Sequence, residues 1–198
     1  GTILDYSVEG KVEEDDFDHT TKIIIQTIEK ASQEKNIPFA VFKITGISKF
    51  SLLEKASIDI NKLTNDEAIE LNKVKNRIDS ICSAAKNKNV PVFIDAEETW
   101  VQDIIDQWAF DMMLLYNKEK CIVYNTIQMY RHDRLFFLEE CLKKAKKSNI
   151  SYGIKLVRGA YVEKERKRSE DMGYPSPIQP NKEATDRDYD IALDYILK

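Results

Sequence analysis

Two histidines and three cysteines give this 198-residue sequence little with which to hold a metal. His19 and His132 lie far apart, and Cys82, Cys121 and Cys141 are odd in number and lack paired ligand spacing. The cysteines read instead as buried thiols of a reducing compartment. Glycine and proline are scarce, at six and five residues, which argues against a low-complexity chain. No apolar run approaches a membrane span, and no signal-peptide pattern opens the sequence. Neither a Walker loop nor a Ser-His-Asp or Cys-His arrangement is visible. A net charge of −4 argues against a generic nucleic-acid binder, so no nucleic-acid partner is expected. The basic runs at 143–147 and 164–168 have acidic neighbours and read as solvated helix faces.

What is present is a soluble globular pattern, 42% hydrophobic and 32% charged, with apolar content enough for a core. Short β-rich runs at 2–8, 39–45, 90–94, 121–127 and 152–157 alternate with helical stripes at 20–32, 65–87, about 100–112, 132–148, a charged stretch after 161, and 184 to the end. Residues 51–64 read as irregular or short helix. Five alternations of strand and helix imply βαβ units and a parallel sheet, an α/β fold. An open doubly wound sheet and part of a (βα)8 barrel both fit. Glu9-Gly10-Lys11-Val12 after the first strand is not the glycine-rich dinucleotide turn, which favours the barrel. A full barrel needs roughly 250 residues, so the expectation is a partial TIM-type barrel of about five βα units filling residues 1–198 as one incomplete domain.

In such a barrel the chemistry belongs at the carboxyl ends of the strands. Lys43 interrupts an apolar run and either points into the barrel mouth toward an anion or faces solvent from an edge strand. Asp95 and Glu97 follow the third strand as same-face carboxylates. They serve as acid/base, metal-binding or cation-orienting groups, or else Asp95, Glu97 and Glu98 cap the next helix. Gln128 ends the fourth strand, as an amide for a heterocycle edge or as a satisfied loop amide. Lys155 and Arg158 end the fifth. They differ in parity, so both face one ligand only if the strand breaks, as Gly159 permits, or they snorkel out of the strand end. Gly159 would also let a bulky ligand lie close to the backbone. A ring of cations with one amide and one carboxylate suits an anionic small molecule and a phosphate-bearing cofactor.

Lys155-Leu-Val-Arg-Gly-Ala-Tyr161 followed by Glu163-Lys-Glu-Arg166 resembles the core motif of the proline dehydrogenase family. Leu4-Asp-Tyr-Ser-Val-Glu-Gly10, Phe42-Lys-Ile-Thr-Gly46, Ile94-Asp-Ala-Glu-Glu98, Tyr124-Asn-Thr-Ile-Gln-Met-Tyr130, Pro177-Ile-Gln-Pro and Lys182-Glu-Ala-Thr-Asp186 match in the family's order. The resemblance implies an FAD enzyme on a distorted (βα)8 barrel that oxidises L-proline to Δ1-pyrroline-5-carboxylate. Hydride passes to the flavin N5 and the electrons then go to a quinone. It implies that Lys155 stands beside N5, that Gln128 hydrogen-bonds the isoalloxazine, and that Val157, Arg158, Gly159, Ala160 and Tyr161 line the FAD. Lys182 and Thr185 fall on its adenosine side. Lys43 pairs with the proline carboxylate, Asp95 orients the substrate site, and Leu156 forms an apolar wall over the ring. A location in the cytoplasm, peripheral to a bacterial inner membrane, follows, or alternatively the mitochondrial matrix.

The sequence departs from that family in extent. The family's adjacent arginines on the last helix have no counterpart, since no Arg-Arg pair occurs in the sequence. The expectation is therefore a truncated chain whose open sheet edge favours self-association. Two other readings stand beside it: another flavin barrel such as a folate reductase, and a non-catalytic assembly fragment.

Overall fold

The computed structural model describes residues 1–5 and 13–197. The expected continuation of the first strand to residue 8, and most of the Leu4–Gly10 motif, lie outside the described residues. Among the described residues five strands form one parallel sheet in the order β1-β2-β3-β4-β5: Ile3–Asp5, Phe39–Phe42, Val92–Ile94, Val123–Gln128 and Gly153–Val157. A doubly wound sheet reverses its strand order at a switch point. This one never reverses, which is the order of consecutive barrel units. The α/β expectation holds, and the strand order decides between its two architectures.

Among the described residues seven α-helices follow the strands, two of them after β2 and two after β5: α1 Glu14–Gln33, α2 Phe50–Asp59, α3 Asn65–Lys88, α4 Thr99–Tyr116, α5 Arg134–Lys147, α6 Val162–Met172 and α7 Lys182–Ile196. Their stripes explain why they pack. Ile24 and Ile28 of α1, Ile78 and Ile81 of α3, and Ile105 and Met112 of α4 form one buried cluster with Ala40, Phe42, Val92, Ile94 and Val123 of the sheet. Alternation along the strands turns the intervening residues to the other, inner face. There the Phe39 and Phe93 rings stack at 4.4 Å, with Tyr124 edge-on to both.

Local signals fix the ends of these elements. Thr64 and Glu67 make a reciprocal capping box that starts α3, and Asn89 in the left-handed region (φ 54°) ends it. Asn117, fully buried, donates to the carbonyls of Val123 and Ser151 and accepts from the amides of Ile122 and Val123. One amide side chain thus sets how β4 and β5 begin. Beneath the sheet Arg134 donates to Asp106 at 2.7 Å, and Asp106 also accepts from Gln102 and Asn125. That network ties α5, α4 and β4 together. Cys82 and Cys141 are buried as expected, whereas Cys121 is half-buried.

Candidate functional site

The carboxyl ends of β2 to β5 converge on the β3–α4 junction, residues 95–99. Lys155 on β5 donates to Asp95 at 2.5 Å, and the Thr126 hydroxyl on the intervening β4 donates to the same oxygen at 3.2 Å. The Lys155 ammonium also lies 5.4 Å from the centre of the Phe93 ring. Lys155 is therefore held on the inner face and does not snorkel away. Lys43 follows β2, an interior strand, so it is not an edge lysine. It is half-buried, and its charge acts on both Glu97 and Tyr161.

None of the three acids at 95–98 caps α4, contrary to that expectation. Asp95 pairs with Lys155. Glu97, 2% exposed, accepts the Thr45 amide at 3.0 Å with one carboxylate oxygen and the Thr45 hydroxyl with the other. Glu98 is the N-cap residue but makes no side-chain cap bond and pairs instead with Lys164 at 2.7 Å. The capping acceptor comes from another element: Glu165 of α6, fully buried, takes the Thr99 amide and hydroxyl at 2.7 Å each. Burial pushes the Glu97 carboxyl up to about 7, against the lowering effect of its bonds to Thr45. Burial likewise pushes the Tyr161 hydroxyl up to about 12, with Lys43 opposing.

Gln128 belongs to β4 and is not a loop amide. Its amide nitrogen donates to the Glu97 carbonyl at 2.8 Å, and its oxygen accepts from the Ala160 amide at 3.2 Å. One N–H and one oxygen lone pair of this amide are left over. Beyond Val157 the chain leaves the sheet, and Gly159 at φ +140° makes the break that parity required. The packing here gives a reason of its own for glycine. A Cβ at Gly159 would come within 2.3 Å of the Tyr130 ring.

Just before that break, Arg158 turns to α7, where it pairs with Asp186 and lies over the Tyr189 ring at 4.6 Å. Lys182 reaches the same Asp186 carboxylate, and the two cations hold its pKa low. Arg158, Gly159, Lys182 and Thr185 line a cleft of about 270 Å³ with Arg166 and Asn181. Thr185 is buried there, its hydroxyl donating to the Asn181 carbonyl at 3.3 Å.

The structure thus gathers the expected residues into two groups flanking the loop 158–161. Lys43, Asp95, Gln128 and Lys155 lie at the strand ends, and Arg158, Lys182 and Thr185 around the cleft. Val157, Ala160 and Tyr161 connect them. Leu156 is the exception: opposite in parity to Lys155, it packs with Ile127, Leu138 and Ala192 on the helix side and walls no inner site. Thr45 with Glu97, Glu165, Asn181 and Asp186 were not foreseen as partners. Thr45, Glu97, Glu165 and Asp186 fall inside the matched motifs, which gave their places but not their pairings.

Comparisons with known proteins place the sequence in a family and the fold among solved structures. The proline dehydrogenase family model matches residues 1–198. The carbapenem antibiotics biosynthesis protein CarD of Pectobacterium carotovorum subsp. carotovorum is 33% identical over 196 residues, covering 98% of this chain and 50% of that protein. Mitochondrial proline dehydrogenase 1 of Dictyostelium discoideum is 29% identical over 235 residues, covering 100% of this chain and 41% of that protein. Among solved structures, proline utilization A from Bdellovibrio bacteriovorus, inactivated by N-propargylglycine, superposes with a TM-score of 0.82 at 20% identity, covering 99% of this chain and 21% of that one. At that identity the superposition speaks for the fold. The chain spans about half or less of the length of these relatives. Because the family model matches residues 1–198 of this sequence, the chain belongs to the proline dehydrogenase family.

Proposed function

We propose that this chain carries the substrate and cofactor groups of a flavin-dependent proline dehydrogenase. The observation that carries the reading is the Lys155–Asp95 pair at 2.5 Å, set at the strand ends beside Lys43 and one loop away from the cationic cleft. In this reading L-proline gives up a hydride from its ring carbon and an N–H proton, and becomes Δ1-pyrroline-5-carboxylate. Lys43 meets the proline carboxylate as a cation. Asp95 holds the Lys155 ammonium over the inner face, where it polarises the acceptor side of the site.

The residues present fit FAD. Arg158, Lys182 and Arg166 around the cleft suit a pyrophosphate, and the remaining N–H and lone pair of Gln128 suit a heterocycle edge. FAD, when bound, supplies a hydride acceptor at N5 whose electrons go on to a quinone. Lys155, Gln128 and the backbone of 157–161 would hold its ring, with Arg158, Lys182 and Thr185 toward the adenosine. Asp186 occupies both cations, so an entering phosphate competes with it. The compartment follows the host: the mitochondrial matrix, as the names of several relatives suggest, or the cytoplasmic side of a bacterial inner membrane. The outer edge of β5 carries no strand partner among the described residues, which supports self-association through it.

An anaerobic visible spectrum of the chain with added FAD, before and after L-proline, tests the reading. A bound flavin band that bleaches with proline supports it. A bound band reduced by a nicotinamide donor but indifferent to proline would instead indicate another flavin barrel. Absence of any bound band would leave the chain a scaffold without the cofactor half of the site.

A further inference from the structure

Glu97 has no part in the function as stated, yet its carboxylate and its backbone are both engaged at the strand ends. Its carboxylate takes both the amide and the hydroxyl of Thr45. Thr45 lies in the one-turn 3-10 helix Ile44–Gly46, whose N-cap residue is Lys43. The same Glu97 uses its backbone N–H for Gln102 at 2.7 Å and its carbonyl for Gln128 at 2.8 Å, and Gln128 in turn holds Ala160. A continuous strap of hydrogen bonds therefore runs Thr45–Glu97–Gln128–Ala160 across the ends of β2, β3, β4 and β5.

The charges that face Glu97 are few. Lys43 approaches from β2, Tyr161 from the start of α6, and Glu98 from its own junction, the last engaged by Lys164. Of these, Lys43 is the cation whose charge favours the Glu97 carboxylate, against the opposing effect of burial. A half-buried ammonium is disfavoured by lost hydration, and a fixed carboxylate beside it offsets that loss.

We infer that Glu97 is a positioning residue for Lys43: pinned by Thr45, it fixes the turn that carries the lysine and keeps a carboxylate beside its ammonium. The inference rests on reading Lys43 as the group that meets the substrate carboxylate, because that role needs the lysine charged and aimed. A carboxylate whose only task is to brace the turn would be replaceable by an amide. Glutamine can still accept the Thr45 N–H and donate to its hydroxyl oxygen, but it brings no charge.

The test reads Lys43 itself. Wild type and the Glu97→Gln and Thr45→Val chains are pulse-labelled with acetic anhydride at pH 8.5, and the Lys43 peptide is quantified by mass spectrometry. With Glu97→Gln the Lys43 rate should rise on the order of 3- to 10-fold, the factor expected when a neighbouring opposite charge is lost. Lys62, an exposed lysine remote from the site, serves as the unchanged control. Thr45→Val, which releases one carboxylate oxygen, should raise the rate in the same direction by less. An unchanged Lys43 rate in Glu97→Gln, with native circular dichroism, overturns the inference. Should that variant fail to fold, an unchanged rate in Thr45→Val overturns it equally. Failure of the functional reading shows up separately, as L-proline binding that is indifferent to Lys43→Ala.

Discussion

Gly159→Ala should destabilise the chain far more than Gly173→Ala, although both replace a glycine at positive φ by the smallest chiral residue. Gly159 has φ +140° and Gly173 φ +71°. An L-residue held in such backbone costs about 1–3 kcal/mol in either place. The difference lies in what the new methyl meets. At Gly173 nothing comes within 4 Å, whereas at Gly159 three atoms of the Tyr130 ring lie at 2.3, 2.4 and 2.6 Å. That ring cannot simply swing away. Tyr130 is 3% exposed, its amide donates to the Arg158 carbonyl at 2.6 Å, and its own carbonyl accepts from Gln179 at 2.6 Å. Forcing a methyl into such packing adds about 1–3 kcal/mol. The expectation is a loss of about 2–6 kcal/mol for Gly159→Ala and about 1–3 kcal/mol for Gly173→Ala. Urea titrations followed by far-ultraviolet circular dichroism measure both. Variants equal to within about 0.5 kcal/mol would mean that Tyr130 yields freely, and the packing argument would then be wrong.

On the proposed function, Lys155→Ala should mainly slow flavin reduction and Lys43→Ala mainly weaken proline binding; stopped-flow traces with wild-type values in both would remove these roles. Asp95→Asn, which releases Lys155, should raise the apparent KM for proline, and an unchanged KM would reduce Asp95 to a structural group. Asp106→Ala leaves Arg134 buried without its inner partner and should lower stability by about 3–5 kcal/mol in thermal or urea melts. Because the folded Glu97 carboxyl titrates near 7 and an unfolded one near 4.5, the native state holds the proton longer. Its contribution to stability therefore falls as pH rises from 4.5 to about 7 and is flat above, a loss of at most about 3 kcal/mol. Stability curves of wild type and Glu97→Gln against pH should diverge over that window and nowhere else.

Much of the fold was legible because apolar runs and helical stripes are local signals. The misreadings have local causes too. Residues 39–45 look like one strand, but β2 ends at Phe42, because the Thr45 amide goes to Glu97 and the chain tightens into a 3-10 turn. Glu14, Asp15 and Asp16 precede the helical stripe read at 20–32, yet they form the first turn of α1, where negative charge suits the helix N-terminus and Phe17 is fully buried. Arg77 of α3 secures that turn through Glu14 and Asp18, each at 2.8 Å. For the site, Lys43, Asp95 and Lys155 announce themselves as polar residues ending apolar strands. Leu156 could have been excluded by parity with Lys155. The pairings were not readable, because Thr45 with Glu97 and Arg158 with Asp186 join residues 52 and 28 positions apart.

The acid-rich stretch at 95–98 shows why the strand order matters to the chemistry. Three carboxylates in four residues repel one another on an isolated strand end, and a helix N-terminus can satisfy only part of that charge. Here each acid leaves in a different direction: Asp95 to Lys155 on β5, Glu97 to the turn after β2, and Glu98 to Lys164 on α6. Neighbouring strands lie about 4.8 Å apart, so β3 and β5 are separated by roughly twice that distance with β4 between them. Only a long cation can cross that gap on the inner face, and Thr126 on β4 meets the same Asp95 oxygen partway. Were β5 placed on the far side of β1, as a reversed order would put it, Lys155 could not reach Asp95. The sequential curl of the sheet is thus what turns one acidic junction into the shared anchor of the lysine on β5, the turn that carries Lys43, and the helix after the 158–161 loop.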